Sequence, residues 1–158
     1  MQNTSTPARR ADATYRERLT PSLWVLCAAG VVAPMAALVF VQIDQALALL
    51  IGAAVAVAVV ALLVGFAPVV EVRGSVLRAG RAWIDVAHLG DPVPLSGNEA
   101  RAARGRELDA RGWHLIRGGI DGIVVVPNTD ADDPVTTWTI SSRTPERLAA
   151  AVRHAQTR

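Results

Sequence analysis

Apolar side chains saturate two stretches of the chain, residues 23–43 and 46–66, and the polar pair Asp44 and Gln45 separates them. A helix rises about 1.5 Å per residue, so each stretch matches a hydrocarbon core roughly 30 Å thick. The pattern therefore predicts two transmembrane helices, and the short break folds them into an antiparallel hairpin with Asp44 at its tip. A cleavable secretory signal carries only about 7–15 apolar residues, which makes the first run a retained helix. Bulky Leu26 before Cys27 also speaks against a lipid-attachment signal. The chain thus divides into a disordered basic tail (1–19), a transmembrane helical hairpin (20–67, helices at about 23–43 and 46–66) and an α+β domain (68–158).

Beyond Pro68 the saturation gives way to short runs that alternate apolar and polar positions, the period of half-buried strands. Residues 69–73 and 76–78 flank Gly74-Ser75 as a hairpin, and residues 82–87 read as a further strand that Gly90-Asp91-Pro92 ends. Ser96 and Glu99 have capping-box spacing for a helix to about Ala110, on which Glu107 and Arg111 form an i,i+4 pair. Residues 113–117 and 120–126 around Gly118-Gly119 predict a second hairpin, its return strand aliphatic enough to be covered on both faces. After the polar loop 128–134, residues 135–142 turn Trp138 and Ile140 inward and Thr137 and Thr139 outward. Thr144-Pro145-Glu146 then opens a helix whose apolar stripe is Leu148, Val152 and Ala155. The expected fold is α+β: a two-helix transmembrane hairpin followed by a small antiparallel-sheet cytoplasmic domain of about five or six strands with a C-terminal helix.

Charge orients this picture. The chain has 158 residues, and its 16 basic side chains are all arginine, a usage that coding bias explains without any demand for guanidinium chemistry. Arg9, Arg10, Arg16 and Arg18 precede the first helix, Arg73, Arg78 and Arg81 follow the second, and none lies between. By the positive-inside rule the protein is a multi-pass protein of the plasma (inner) membrane with both termini cytoplasmic and Asp44 outside. Arg16, Arg18, Arg73, Arg78 and Arg81 are candidate anionic-lipid contacts, while Tyr15 and Trp24 suit headgroup anchoring. Ala29, Ala33 and Ala37 on the first helix, with Gly52 and Ala56 or Ala61 and Gly65 on the second, favour close packing within the hairpin, and the same spacing serves a homo-oligomer. Pro34 should kink the first helix. A net charge of +2 is too small to argue for a nucleic-acid partner.

At Val69-Val70-Glu71-Val72, Asp133-Pro134, Trp138 and Ser142-Arg143-Thr144-Pro145-Glu146-Arg147-Leu148 the chain resembles the actinobacterial membrane proteins of domain-of-unknown-function 3093. That resemblance spans roughly residues 15–155 and implies two membrane helices, a Val-rich hairpin and a late tryptophan strand before an S-R-x-P-E-x-L helix start. Thr136 and Thr137 stand where such proteins often have proline and tyrosine. The likeness lends no catalytic residue.

The residues themselves show no catalytic, cofactor-binding or metal-binding motif. His88, His114 and His154 lack ligand spacing, and Cys27 stands alone inside an apolar run. Gly118-Gly119-Ile120-Asp121-Gly122 is not a phosphate loop, and no G-x-S-x-G occurs. Asn128, Asp130 and Asp132 begin like a calcium loop, but Asp133 stands where glycine is required and Thr139 where glutamate is. The expectation is a non-enzymatic integral membrane protein whose domain meets a protein partner or the membrane surface. The alternative is a membrane-tethered enzyme or small-ligand binder in which Asp85, His114 or Arg143, with His88 or His154, converge in a pocket.

Overall fold

A computed structural model describes residues 14–42 and 44–158; the tail up to residue 13, Ile43 and the side chains of Ala29 and Ala33 lie outside the described residues. The expected tail was drawn to residue 19, but Tyr15–Arg18 form a strand, β1. The helices α1 (Leu23–Phe40) and α2 (Gln45–Gly65) follow, α1 continuing through Pro34 and ending short of residue 43. Asp44 starts α2 because its carboxylate accepts from the Ala46 and Leu47 amides at 2.7 and 3.0 Å, satisfying donors that have no partner inside a helix. The two helices pack on each other across this short link, with Ala48 and Gly52 of α2 buried. Both are long and apolar enough to cross a membrane, and none of the α1 span and 11% of the α2 span is buried in the protein.

Among the described residues the strands form two four-stranded sheets. The first has the order β1-β2-β3-β4, adding Val69–Arg73, Val76–Ala79 and Ala82–Asp85, all antiparallel. Gly74 supplies the positive φ that the β2–β3 turn needs. The fourth strand is shorter than expected, because Asp85 accepts from the Ala87 amide at 2.9 Å and starts a 3-10 turn, Val86–His88. The second sheet has the order β5-β7-β8-β6, from Val93–Leu95, Ile123–Pro127, Thr137–Ser141 and Trp113–Leu115.

That order corrects the expected second hairpin. Strand β6 runs parallel to β8 with Trp113 beside Trp138, ring centroids 5.9 Å apart, while β7 lies between β5 and β8. Gly118-Gly119 looks like a turn, but β6 instead takes the free edge of β8, where the Trp113 ring packs on Trp138. The helix expected to reach Ala110 also stops early: α3 is Gly97–Ala103. At Gly105 the amide bonds back to Ala102 and tightens the chain, so Glu107 meets neighbouring Arg106 at 3.4 Å and no helical pair with Arg111 forms. Ser96 has the extended backbone of a cap, without the side-chain bond.

Helix α4 (Pro145–Gln156) closes the core, with Leu148, Val152 and Ala155 buried as the stripe requires. The same buried cluster takes in Val70, Val72 and Leu77 of the first sheet and Val124, Val126, Trp138 and Ile140 of the second, and α4 packs directly on β2, β5 and β7. Thr139, expected outward, is buried as well, since α3 packs on the second sheet's other face. The Trp113 indole N–H is buried without a partner among the described residues. Trp113→Phe removes that unpaired donor, whose desolvation costs about 1–3 kcal/mol, so the lost ring area and the relieved penalty should offset to within about 1 kcal/mol. Thermal unfolding of the variant checks this expectation.

Candidate functional site

Tyr15-Arg16-Glu17-Arg18 alternates, and so does its burial: Tyr15 and Glu17 sit opposite buried Val72 and Val70, while Arg16 and Arg18 point outward. On the inner side the Tyr15 hydroxyl donates to Glu17 Oε2 at 2.6 Å and lies 3.0 Å from both Ser142 Oγ and Thr144 Oγ1. Ser142 donates to the same carboxylate at 2.7 Å and accepts the Thr144 amide at 3.0 Å; the Arg143 amide donates to Glu17 Oε1 at 2.9 Å. Thr144 therefore caps α4 by its backbone position while its hydroxyl serves Tyr15. Burial, and then the bond to Glu17, pushes the Tyr15 phenol above its ordinary 10.0. Because the folded state holds this proton more tightly, the resulting stability is complete below pH 10 and is lost as pH rises through the folded-state value. Tyr15 is the chain's one tyrosine, so phenolate absorbance should titrate with a midpoint above 10.0 when folded and fall back in denaturant.

The same segment fastens the domain to the helices. Arg18 donates to the Val64 and Gly65 carbonyls at 2.9 and 3.3 Å, placing a cation on the unpaired, negative end of α2. The Arg143 guanidinium donates to the Thr20 and Arg18 carbonyls at 2.6 and 3.2 Å. Gly119, at φ 79°, lies so close to the start of α1 that a Cβ there would stand 2.7 Å from that of Ser22.

Across the outer face of the first sheet, Arg16, Glu71, Arg78 and Trp83 stand in register on four successive strands. Arg16, Arg78 and Arg81 gather around Phe66 and Pro68 in a groove of about 400 Å³ at the end of α2. The five arginines singled out by sequence thus part company. Three share this groove, Arg18 holds α2, and Arg73 pairs with Glu71 at 2.7 Å toward the far turn. Phe66 and Trp83 remain 78% and 71% exposed, so large apolar surface accompanies the charge.

A second groove, about 760 Å³, runs between β1 and α4; Tyr15, Arg16, Arg143, Arg147, Ala150 and His154 line it. Arg143 and His154 meet there, but the other residues of the enzyme alternative lie elsewhere. Asp85 accepts from Ser75 at 3.2 Å, His114 bonds to the Asp109 carbonyl at 2.8 Å, and His88 lies 3.0 Å from Asp130. Asp109 is held below the ordinary carboxylate range by the Thr136 hydroxyl first and the Arg111 amide second. In the 128–134 loop, Asn128, Asp130 and Asp133 accept from backbone amides of the loop itself and of Val135. Among the described residues no three His, Cys, Asp or Glu side chains gather to hold a metal.

Sequence reasoning passed over Glu17, Ser142, Thr144 and Arg147 as site residues, gave Tyr15 only a headgroup-anchoring role and named His154 only within the enzyme alternative. Two signals were present: the strict alternation of residues 15–18, which marks a strand, and the Ser142-Arg143-Thr144-Pro145 segment itself. A family model described as "Protein of unknown function (DUF3093)" matches residues 14–152, a stretch that takes in both sheets and most of α4. No curated protein and no solved structure matches the chain.

Proposed function

Taking as premise that the chain belongs to the DUF3093 family, we propose that it is an integral membrane protein whose α1–α2 hairpin anchors the α+β domain at the cytoplasmic surface of the inner membrane. Both termini are cytoplasmic and Asp44 is outside in this reading, and the actinobacterial origin that the resemblance implies belongs with it. The domain acts by contact, with anionic lipid and with a protein partner, and not by catalysis. One observation carries the proposal: α2, one of two exposed apolar helices packed on each other, ends directly at a groove of the first sheet where Arg16, Arg78 and Arg81 surround exposed Phe66. Each arginine near an anionic leaflet contributes about 1 kcal/mol, and an aromatic ring at a helix end suits the headgroup layer. The enzyme alternative would need Asp85, His114 and Arg143 to converge, whereas Asp85 bonds Ser75, His114 bonds the Asp109 carbonyl and Arg143 lines the groove beside α4.

Two measurements test this. Alkaline carbonate should leave the full chain in the membrane pellet, and release into the supernatant would sink the anchoring. In nanodiscs, brominated phosphatidylglycerol should quench Trp83 in a variant whose other tryptophans are phenylalanine, more strongly than brominated phosphatidylcholine does. Arg16→Glu with Arg78→Glu and Arg81→Glu should erase the difference. Equal quenching by both lipids would refute the lipid contact while leaving the anchoring intact.

A further inference from the structure

Among the described residues strand β1 is an edge of its sheet. The Leu19 amide donates to Pro68 O at 2.9 Å, which places Tyr15 and Glu17 in the paired positions of the antiparallel ladder and turns the backbone of Arg16 and Arg18 outward. The Arg18 carbonyl is taken by Arg143, whereas the Arg16 amide and carbonyl have no partner among the described residues. This open edge borders the 760 Å³ groove, whose opposite wall is one stripe of α4: Arg147, Ala150, Ala151 and His154, at i, i+3, i+4 and i+7. The two alanines keep the floor low, and Arg147 and His154 stand at either end. Arg16 and Arg147 form no ion pair among the described residues, and the one carboxylate on the wall, Glu17, is already engaged by Tyr15, Ser142 and Arg143.

We propose that this groove binds an extended, acidic segment of a partner protein, which adds to the first sheet as a strand against β1. An unpaired strand edge beside a helix supplies main-chain hydrogen bonds, and alternate side chains of the guest meet alternate walls. Four residues of β1 span about 13 Å and the α4 stripe about 10 Å, room for roughly four extended residues. The charge selects the guest: Arg16 and Arg147 line the groove, and Arg143, whose guanidinium is held by the Thr20 and Arg18 carbonyls, adds a fixed positive charge at one end, so carboxylates at alternate positions complement the site. A strand is favoured over a lipid headgroup because the groove runs from Arg143, beside Thr20, away from the hairpin base to His154. The site does not depend on α1 and α2 spanning a bilayer.

The test uses the full chain in mild detergent and three probes: an acetylated, amidated peptide alternating glutamate and valine, the same peptide N-methylated on alternate amides, and phosphatidylglycerol nanodiscs. The plain peptide should bind saturably, with N-methylation and Arg147→Glu each weakening it about tenfold or more. Binding should also slow amide exchange in residues 14–18. Absence of saturable binding overturns the proposal, as does indifference to N-methylation, which would mean charge attraction alone. A loss of nanodisc adsorption on Arg147→Glu with peptide affinity unchanged would assign the groove to lipid instead.

Discussion

Gly122→Ala is expected to destabilise the protein by about 3 kcal/mol, the upper end of what an inserted methyl group costs a packed interior. A Cβ at Gly122 would lie 2.5 Å from the Ser142 carbonyl oxygen and 2.8 Å from Pro145 Cγ, and neither can move alone. The Gly122 carbonyl accepts the Ser142 amide at 3.0 Å, so displacing one displaces the segment that holds Glu17, Tyr15 and Thr20. At this chain length such a loss lowers the thermal midpoint by roughly 6–12 °C. Gly118→Ala is the control, since nothing lies within 4 Å of a Cβ there. Melting both variants of the full chain in one detergent decides the matter: equal midpoints would show that the contact between residue 122 and the Ser142 segment does not constrain the fold.

Glu17→Ala should cost about 2–4 kcal/mol, because it removes the acceptor shared by the Tyr15 hydroxyl, the Ser142 hydroxyl and the Arg143 amide, and each part-buried donor that loses its partner costs about 1–3 kcal/mol unless a neighbour such as Thr144 takes it up. The estimate stays below the full sum because the Glu17 side chain is 13% exposed and water can reach part of it. The variant has a second readout. Since the bond to Glu17 is, after burial, what raises the Tyr15 phenol, its titration should move down toward 10.0. Combining Glu17→Ala with Tyr15→Phe should cost less than the two singles added, by about 0.5–3 kcal/mol for groups in one network. Strict additivity, with an unmoved phenol, would mean that Tyr15 and Glu17 do not act together.

Both predictions concern contacts that no local pattern encodes, Gly122 against the Ser142 segment and Glu17 against the same segment from the far end of the chain, which is why the candidate site was only half legible. The arginines were found because charge is visible residue by residue. That Arg16, Arg78 and Arg81 share one groove, while Arg73 and Arg18 are engaged elsewhere, depends on strand register. Tyr15 and Glu17 were assigned to a tail because four residues of strand leave little periodic signal. They are strand because Val69–Arg73, across the whole helical hairpin, offers them an edge to pair with.

The second sheet shows the same limit in another form. Apolar runs on either side of Gly118-Gly119 were correctly taken for strands, but their pairing was not, since a local pattern carries no information on rival partners. Helix α4 was legible to its apolar stripe because proline, cap and periodicity agreed over many residues.

By itself the sequence determined the elements whose physics is local: two apolar helices with a polar break at Asp44 and Gln45 between them, the hairpin of residues 69–73 and 76–78, the C-terminal helix and the α+β class. Periodicity, capping and turn chemistry act over a few residues, and those residues are adjacent in the chain. Only the tertiary structure decided the division into two sheets, the parallel β6–β8 pair and the contacts that seat α2, β1 and the Ser142–Thr144 segment on one another. Those follow from a competition among distant strands and carbonyls for the same hydrogen bonds and buried area, which no stretch of sequence settles alone.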